Sequence, residues 1–418
     1  MSKAVFSVYE QAVLPVGQQQ NGFTFTEKHL QELAQLKSTL LAGMYRLEYQ
    51  SVRWGNYVGL IELPEVIIEI LPKIARYDDI DQTRIRWTSL LQQFDFLPQL
   101  GNLNPQLLMQ PGELTETLQR AFINEVRLIT QRGLTRQYRS QQEQQPFLRG
   151  KLLLSEQIRT NLVQKHRFYV QSQTHVRDHP LNQRIKQALR IVAKSTHNSS
   201  SVNDLLRHFR SVSDVPLQNS EPQIPLIWVS PDRVSPDRVS PDRVSPDRVT
   251  QHYQLGLRLA NLICGGYLGG TFAGQDFGFS LLFDMSRVFE LLVYYYLKKL
   301  RSEQNFKLHY QPERTFWRSK NLRPDFLLDL GNNQRVVIDT KWKVLASPEP
   351  HDEDLRQVFA YTQVFEANRG ILLYPQISNL LANQTSFNLT STSSSTGEIH
   401  FLSILENVES QLLNILLI

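Results

Sequence analysis

The fold of the C-terminal half is decided by the stretch Arg323-Pro-Asp-Phe-Leu-Leu-Asp-Leu-Gly-Asn-Asn-Gln-Arg-Val-Val-Ile-Asp-Thr-Lys-Trp-Lys343. An apolar run ends at Leu330, turn-forming residues follow at 331–334, and a β-branched run then leads into Asp339, which is a pattern that predicts a β-hairpin. Because side chains alternate between the faces of a strand, Asp339 and Lys341 point the same way. We expect Asp325, at the start of the first strand, to lie across the pair near Asp339.

Two carboxylates that converge in this way form an oxygen-rich site for a divalent cation such as Mg²⁺, and the lysine lies beside it. Such a site suits the hydrolysis of phosphodiesters. The alternative is an exposed ion pair on a surface hairpin, since Pro-Asp and Asp-x-Lys are short and common motifs. The rest of the chain has to decide between the two interpretations.

The composition is that of a soluble protein with sizeable cores. The chain has 418 residues, of which 41% are hydrophobic, and a mean hydropathy of -0.33, so two or three domains are expected. The net charge of +5 permits a polyanionic partner without requiring one. The single cysteine, Cys264, excludes an internal disulfide and fits a cytoplasmic location. No apolar run is long enough to span a membrane.

The N-terminal half divides into two predicted segments. Residues 1–80 predict a small α+β domain, with strands at 7–16, 45–54, 58–63 and 66–71 and a helix at 26–40. The loop at 53–57, which contains Trp54, is either an exposed partner contact or a hairpin loop with a structural tryptophan. Residues 81–214 predict a mainly helical middle domain, with helices at 83–94, 114–138 and 181–194.

The middle domain carries a basic stretch. Between residues 127 and 169 there are nine Lys or Arg and two acidic residues, with aromatic residues interleaved. Such a stretch can follow a nucleic-acid backbone, although a solvated helical surface explains the charge equally well. The candidate DNA-binding residues are Arg132, Arg136, Arg139, Arg149 and Lys151.

Four tandem Ser-Pro-Asp-Arg-Val repeats at 230–249 predict an extended linker over residues 215–250, because a proline at every fifth position excludes a helix. Residues 251–418 then form the C-terminal domain. The Gly-rich segment 265–270 lacks the Lys-Ser/Thr ending of a phosphate-binding loop. We therefore expect no nucleotide hydrolysis by this chain.

The C-terminal segment gives the hairpin its context. Asp284 is the expected N-cap of a helix at 285–301, in which Glu290 lies among apolar residues. A pair of strands at 306–310 and 315–318 precedes the hairpin. A helix at 354–366, with Gln357 and Tyr361 on one face, and a strand at 370–374 follow it.

The order of these elements and motifs resembles the PD-(D/E)xK nuclease superfamily and, through Gln357-x-x-x-Tyr361, its RecB-like branch. A closer resemblance is to the McrC family of nuclease subunits of modification-dependent restriction systems. The segments that carry it are Phe283–Glu290, Arg323–Asp325, Asp339–Lys341, Ile68–Ile74, Arg132–Tyr138, Leu148–Lys151 and Asp178–Asn182.

The resemblance implies an α/β PD-(D/E)xK nuclease domain with a central mixed sheet flanked by helices. It implies that Asp325, Asp339, the Thr340 carbonyl and Glu290 hold Mg²⁺. Lys341 then orients water or stabilises the transition state, and Gln357 and Tyr361 support the site.

The resemblance also implies partners. A McrB-like AAA+ GTPase hexamer would bind the N-terminal segment, bind the GTP and be stimulated by this chain, and the substrate would be double-stranded DNA with modified cytosine. Under the alternative hypothesis, the chain is a non-catalytic adaptor of an AAA+ motor that retains the nuclease fold.

Overall fold

The computed structural model describes residues 3–35, 43–76, 79–93, 111–164, 166–195, 199–215, 251–268, 278–304, 306–345, 349–376, 385–388, 395–404 and 407–417. The predicted linker, from residue 216 onward, lies outside the described residues. The chain forms two compact units: unit 1 comprises Met1–Leu114 and Gly278–Ile418, and unit 2 comprises Thr115–Phe277.

The strands, in chain order, are β1 (Ala4–Tyr9), β2 (Val13–Pro15), β3 (Gln19–Gln20), β4 (Phe23–Thr24), β5 (Tyr45–Glu48), β6 (Ser51–Trp54), β7 (Tyr57–Glu62), β8 (Val66–Leu71), β9 (Gln137–Gln145), β10 (Lys151–Leu152), β11 (Phe168–Val176), β12 (Tyr267–Leu268), β13 (Gly278–Asp284), β14 (Lys307–Tyr310), β15 (Arg314–Trp317), β16 (Lys320–Leu322), β17 (Phe326–Gly331), β18 (Gln334–Thr340), β19 (Arg369–Pro375), β20 (Thr385–Asn388) and β21 (Thr396–Leu402).

The α-helices are α1 (Glu27–Gln35), α2 (Ile80–Gln93), α3 (Pro111–Arg132), α4 (Leu154–Asn161), α5 (Pro180–Ser195), α6 (Ser199–His208), α7 (Gln254–Gly266), α8 (Met285–Gln304), α9 (Asp352–Phe365) and α10 (Val408–Leu417). Short 3₁₀ turns occur at Lys73–Ala75 and Gln251–Tyr253. None of these helices is long and apolar enough to cross a membrane.

The first sheet of unit 1 contains strands from both segments of that unit. Strand β8, with the sequence VIIEIL, is buried along its whole length, as expected for a strand that is apolar on both faces. It pairs in parallel with β1 and antiparallel with β7. Strand β7 in turn pairs antiparallel with β13 from the C-terminal half. The N-terminal α+β segment is therefore completed by a strand from beyond residue 277.

This arrangement divides the chain differently from the four predicted segments. The predicted C-terminal domain, residues 251–418, includes helix α7, but this helix lies in unit 2 and packs on α5. At Gly256 the helix also lies close to α3, since a Cβ atom there would lie 2.7 Å from Ile129 Cδ1. In addition, Tyr253 Oη donates to Asn182 Oδ1 at 2.7 Å and Arg184 Nε donates to Asn261 Oδ1 at 2.7 Å.

The prediction of a mainly helical middle domain is wrong for residues 137–176. Helix α3 ends at Arg132, and Gly133, with φ of +94°, terminates it by the left-handed conformation that glycine favours. Strands β9 and β11 then pair over nine residues each. Strand β9 is largely exposed and rich in glutamine, so it lacks the apolar alternation that identifies a strand in a sequence.

The second sheet of unit 1 is mixed, with the strand order β14-β17-β18-β19-β21-β20. The predicted hairpin is confirmed: β17 and β18 pair antiparallel, with Phe326 opposite Ile338. Strands β18, β19 and β21 run parallel. Strands β14 and β15 do not form the predicted pair, since β14 pairs with β17 and β15 with β16.

Helices α8 and α9 pack on this mixed sheet. Asp284 caps α8 as predicted, because its Oδ1 accepts a hydrogen bond from Ser286 N at 2.9 Å. Helix α9 buries Val358 and Tyr361 against β17, β18 and β19. Its approach to β19 is close at Gly370, where a Cβ atom would lie 2.6 Å from Thr362 Cγ2. The predicted central mixed sheet with packed helices is thus present.

Gly59→Ala tests the junction between β7 and β13. Gly59 has φ of +142°, and a Cβ atom there would lie 1.9 Å from the Leu281 carbonyl oxygen. We expect the free energy of unfolding to fall by more than about 2 kcal/mol, since strain and a backbone clash add. Gly17→Ala is the matched control, because φ is +94° but nothing lies within 4 Å. Equal losses of stability for the two variants, measured by thermal unfolding, would contradict the close approach of β7 and β13.

Candidate active site

The hairpin brings Asp325 and the end of β18 together. Thr340 donates two hydrogen bonds to Asp325 Oδ2, one from its amide nitrogen at 2.7 Å and one from its hydroxyl at 2.6 Å. The pairing of Phe326 with Ile338 leaves Asp325 and Asp339 at the next register position. Asp339 is only 4% exposed. The two predicted aspartates therefore meet at the end of the hairpin.

Lys341 lies beside these carboxylates. Its amide nitrogen donates to the Leu373 carbonyl at 2.9 Å, so the parallel neighbour β19 fixes its backbone. Its Nζ lies 2.7 Å from Asp339 Oδ2 and donates to Gln357 Oε1 at 2.6 Å. Burial lowers the pKa of Lys341, but the carboxylates of Asp339, Asp354 and Asp325 together more than offset this effect, so the pKa is raised above its ordinary value. The lysine is thus a fixed cation at neutral pH.

Helix α9 completes the site through a directed chain of hydrogen bonds. Because an ammonium group can only donate, the Gln357 carbonyl oxygen must face Lys341. The Gln357 amide nitrogen then donates to Tyr361 Oη at 2.7 Å, and that hydroxyl donates to the Arg323 carbonyl at 3.2 Å. The chain starts at the end of β18 and finishes two residues before Asp325. Gln357 and Tyr361, the predicted supporting residues, are therefore brought to the site.

Burial and mutual repulsion perturb the carboxyl groups. Burial, together with the nearby Asp325 carboxylate, raises the pKa of Asp339 to about 7. Burial also raises the pKa of Asp325, although the hydrogen bonds from Thr340 act in the opposite direction. Perturbed pKa values in a buried cluster are typical of functional sites. Asp325 and Asp339 therefore ionise less readily than exposed aspartates.

Glu290 lies on α8 at the edge of this cluster. Its Oε1 accepts a hydrogen bond from Gln311 Nε2, and burial together with the Asp325 carboxylate raises its pKa to about 7. Arg287 acts on it electrostatically and Tyr310 donates a hydrogen bond to it. Within the described ranges, no three His, Cys, Asp or Glu side chains converge as a metal-binding group. The joint binding of a metal ion by Glu290, Asp325 and Asp339 stays a prediction.

Sequence reasoning missed Asp354 in the first turn of α9. Its carboxylate is buried, accepts hydrogen bonds from Lys343 Nζ at 2.9 and 2.8 Å, and accepts one from Tyr374 Oη at 3.0 Å. Lys341 Nζ lies 3.8 Å from it. The signal was present in the sequence, since Asp354 precedes Gln357 by three residues and so shares its helix face.

A second group of missed residues lies behind the lysine. Glu10 and Lys73 are buried and contact Trp342, the residue that follows Lys341. No local pattern could have identified them, because they lie 332 and 269 positions away from Trp342.

The five candidate DNA-binding residues lie in unit 2, and all are exposed. Arg132 ends α3, Arg139 lies on β9, and Lys151 lies on β10. Arg139 Nη1 lies 3.4 Å from Asp178 Oδ2. Arg136 and Arg149 lie in the connections before β9 and β10. Their contact with DNA stays a prediction.

The loop at 53–57 has the structural role. Trp54 is 2% exposed and its ring packs on Tyr45 with centroids 5.5 Å apart. The structural tryptophan, one of the two alternatives, is therefore the correct interpretation.

The fold and the site define a class of protein in which a mixed sheet holds a buried aspartate, a partly buried aspartate and a lysine at adjacent strand ends. Comparison with known families then makes the assignment specific. The family described as McrBC 5-methylcytosine restriction system component matches residues 52–375, which is more than half of the chain. The chain belongs to this family.

Two solved structures are similar to the chain. One is a half-complex from a tetradecameric assembly of Thermococcus gammatolerans McrB AAA+ hexamers with bound McrC, with a TM-score of 0.61, 18% identity, and coverage of 99% of this chain and 100% of that chain. The other is the Thermococcus gammatolerans McrBC complex, with a TM-score of 0.44, 19% identity, and coverage of 71% and 88%. No curated protein matches the chain.

Asp339→Asn tests the electrostatic strain at the site. A carboxyl group whose pKa is about 7 in the folded chain, against an ordinary value of 3.8, destabilises the fold once it ionises. In chelator-treated buffer we therefore expect the variant to be more stable than the unmodified chain at pH 8, by about 1 to 3 kcal/mol. This difference should shrink as the pH falls from 7 towards 4.

Chemical denaturation at several pH values measures this difference. Asp329→Asn, on strand β17 of the same hairpin, controls for the general effect of removing a carboxylate. A stability difference for Asp339→Asn that grows as the pH falls would contradict the assignment.

Proposed function

We propose that this chain is the Mg²⁺-dependent DNA endonuclease subunit of a GTP-dependent, McrBC-type restriction complex in the cytoplasm. Unit 1 would contain a PD-(D/E)xK nuclease domain built on the mixed sheet. The observation that carries the proposal is the cluster of Asp325, Asp339 and Lys341 at the end of the hairpin, in which Asp339 is buried and the other two are partly buried. Burying several charges is costly, so a cluster that serves only the fold would gain little from them.

The donor set suits a magnesium ion. Asp325, Asp339 and the Thr340 carbonyl offer hard oxygen atoms, which Mg²⁺ prefers. Burial, together with the Asp325 carboxylate, raises the pKa of Asp339 to about 7, and a divalent cation would stabilise the ionised form that both effects disfavour. Glu290 would act from the edge of the site through its interaction with Asp325. When bound, the ion supplies Lewis-acid activation of the phosphate and of a water molecule.

The remaining groups of the chain position the reactants. Lys341 stays protonated at neutral pH and can donate hydrogen bonds to an attacking water or stabilise negative charge on the phosphate in the transition state. Gln357 holds that ammonium group in place, and Tyr361 fixes the orientation of the Gln357 amide. Asp354 supplies a second counter-charge for Lys341 at 3.8 Å, and it binds Lys343 directly.

The partner follows from the family. A McrB AAA+ hexamer binds McrC in the Thermococcus gammatolerans assembly. We extend this partnership to the present chain: a McrB-like AAA+ GTPase hexamer would bind the GTP, and this chain would stimulate its hydrolysis. Double-stranded DNA with modified cytosine would be the substrate. The exposed basic residues of unit 2, Arg132, Arg136, Arg139, Arg149 and Lys151, would contact its backbone.

The decisive experiment measures DNA cleavage and GTP hydrolysis in the same reconstituted complex. With Mg²⁺, GTP and methylated DNA, the unmodified chain and its GTPase partner should cut the DNA. Asp339→Asn and Lys341→Met should each lower the cleavage rate by at least about a hundredfold, because each removes part of the charge machinery. Neither variant should change the stimulation of GTP hydrolysis.

Asp329→Asn is the matched control, since it removes a carboxylate from the same hairpin outside the cluster, and it should cut DNA at the normal rate. Normal cleavage by Asp339→Asn would remove the assigned site. Stimulated GTP hydrolysis with uncut DNA in the unmodified complex would favour the non-catalytic adaptor.

A further inference from the structure

Trp342, the residue after the candidate catalytic lysine, is held by two buried charged residues of the N-terminal segment. Its indole Nε1 donates to both oxygens of the Glu10 carboxylate, at 2.9 Å each. Its carbonyl oxygen accepts a hydrogen bond from Lys73 Nζ at 2.9 Å. Both the side chain and the backbone of Trp342 are therefore fixed from the same side of unit 1. We call Glu10, Lys73 and Trp342 the tryptophan latch.

The latch is itself tightly organised. Lys73 N donates to Glu10 Oε1 at 2.9 Å, and Lys73 Nζ lies 3.8 Å from Glu10 Oε2. The Lys73 ammonium also donates to Asn56 Oδ1 at 3.3 Å and lies 5.5 Å from the centre of the Trp342 ring. Phe289 of α8 packs on that ring with centroids 5.6 Å apart. Glu10, Lys73 and Trp342 thus hold one another through polar contacts, and Asn56 and Phe289 contact them from elsewhere in unit 1.

Stability alone does not account for these charges. Glu10 is 2% exposed and Lys73 is 9% exposed, and burial is the largest influence on each pKa, raising that of Glu10 and lowering that of Lys73. A buried ion pair is often no more stabilising than apolar residues of the same size. The buried pair of Glu10 and Lys73 instead specifies one geometry, because Trp342 can make its hydrogen bonds to both residues in only one position.

The position of Trp342 in turn determines that of Lys341. Strand β18 ends at Thr340, and Lys343 N donates to the Lys341 carbonyl at 2.8 Å, so the chain turns sharply at Trp342. Lys341 has only one bond from its own backbone nitrogen to the sheet, to the Leu373 carbonyl. The next anchor along the chain is the latch. A rotation of Trp342 would therefore displace the Lys341 side chain relative to Asp339 and Gln357.

We propose that Glu10, Lys73 and Trp342 are positioning residues that set the place of the Lys341 ammonium group for DNA cleavage. The inference rests on the proposed function of the site. It makes the N-terminal segment a structural part of the nuclease centre, in addition to any role in partner binding. Trp342 acts through the backbone that it shares with Lys341, and Glu10 acts through the Trp342 indole.

Single-turnover cleavage by the reconstituted complex tests the latch. Trp342→Phe keeps an aromatic ring but removes the N–H donor, and Glu10→Gln places an amide donor against the indole and the Lys73 ammonium. We expect each variant to cut saturating DNA roughly tenfold to a hundredfold more slowly, because small displacements of reacting groups are costly. The DNA concentration at half-saturation and the stimulated GTP hydrolysis should both stay within about twofold of the unmodified complex.

A double-mutant cycle separates positioning from general destabilisation. If Glu10 acts through the indole, adding Glu10→Gln to Trp342→Phe should lower the cleavage rate by no more than a further factor of about two. Trp54→Phe is the matched control. Trp54 is 2% exposed, against 3% for Trp342, and its Nε1 has no hydrogen-bond partner in the described part of the chain. Trp54→Phe should cut DNA at the normal rate, and thermal unfolding should show all variants folded.

The possible outcomes separate the two proposals. Cleavage by the unmodified complex together with normal rates for Trp342→Phe and Glu10→Gln would overturn the latch and leave the proposed function standing. Equal rate losses for Trp54→Phe and Trp342→Phe, or independent effects in the cycle, would also overturn the latch. Absence of cleavage by the unmodified complex would overturn both proposals.

Discussion

The two hydrogen bonds from Thr340 to Asp325 are the contact on which the candidate site depends. They join the entry of β17 to the end of β18, where the antiparallel ladder itself has ended. By binding one oxygen of Asp325, they fix the carboxylate beside Asp339 and oppose the effect of burial on its pKa. A backbone amide is a donor that no substitution except proline removes. The convergence of the two aspartates is therefore built into the geometry of the strands.

The site depends equally on a balance of buried charge. The Lys341 ammonium group lies 2.7 Å from the Asp339 carboxylate and 3.8 Å from that of Asp354, and Lys343 binds Asp354 at 2.8 Å. Asp325 also interacts electrostatically with Lys341. The pKa of Asp339 is raised first by its burial and then by the nearby Asp325 carboxylate. The Lys341 ammonium group is held in place by a neutral hydrogen-bond chain through Gln357 and Tyr361.

The parts of the molecule that sequence reasoning could predict are those encoded locally. The hairpin, the Asp284 cap and the Gln357–Tyr361 contact each follow from short-range rules, and each occurs in the structure. Strand β9 could not be identified, since exposed glutamines carry no periodic signal. The role of Glu10 and Lys73 could not be predicted for another reason: no sequence pattern indicates that residues hundreds of positions away contact Trp342.

The pairing of β7 with β13 has a consequence for the integrity of the polypeptide. Unit 2 is inserted between two segments that share one sheet, so the beginning and the end of the chain remain associated through that sheet's hydrogen bonds as well as through the covalent backbone. Proteolytic cleavage of the backbone within unit 2 would leave two fragments that stay associated under native conditions. Cleavage of one peptide bond in unit 2 would therefore leave the candidate active site intact until a denaturant separates the two fragments.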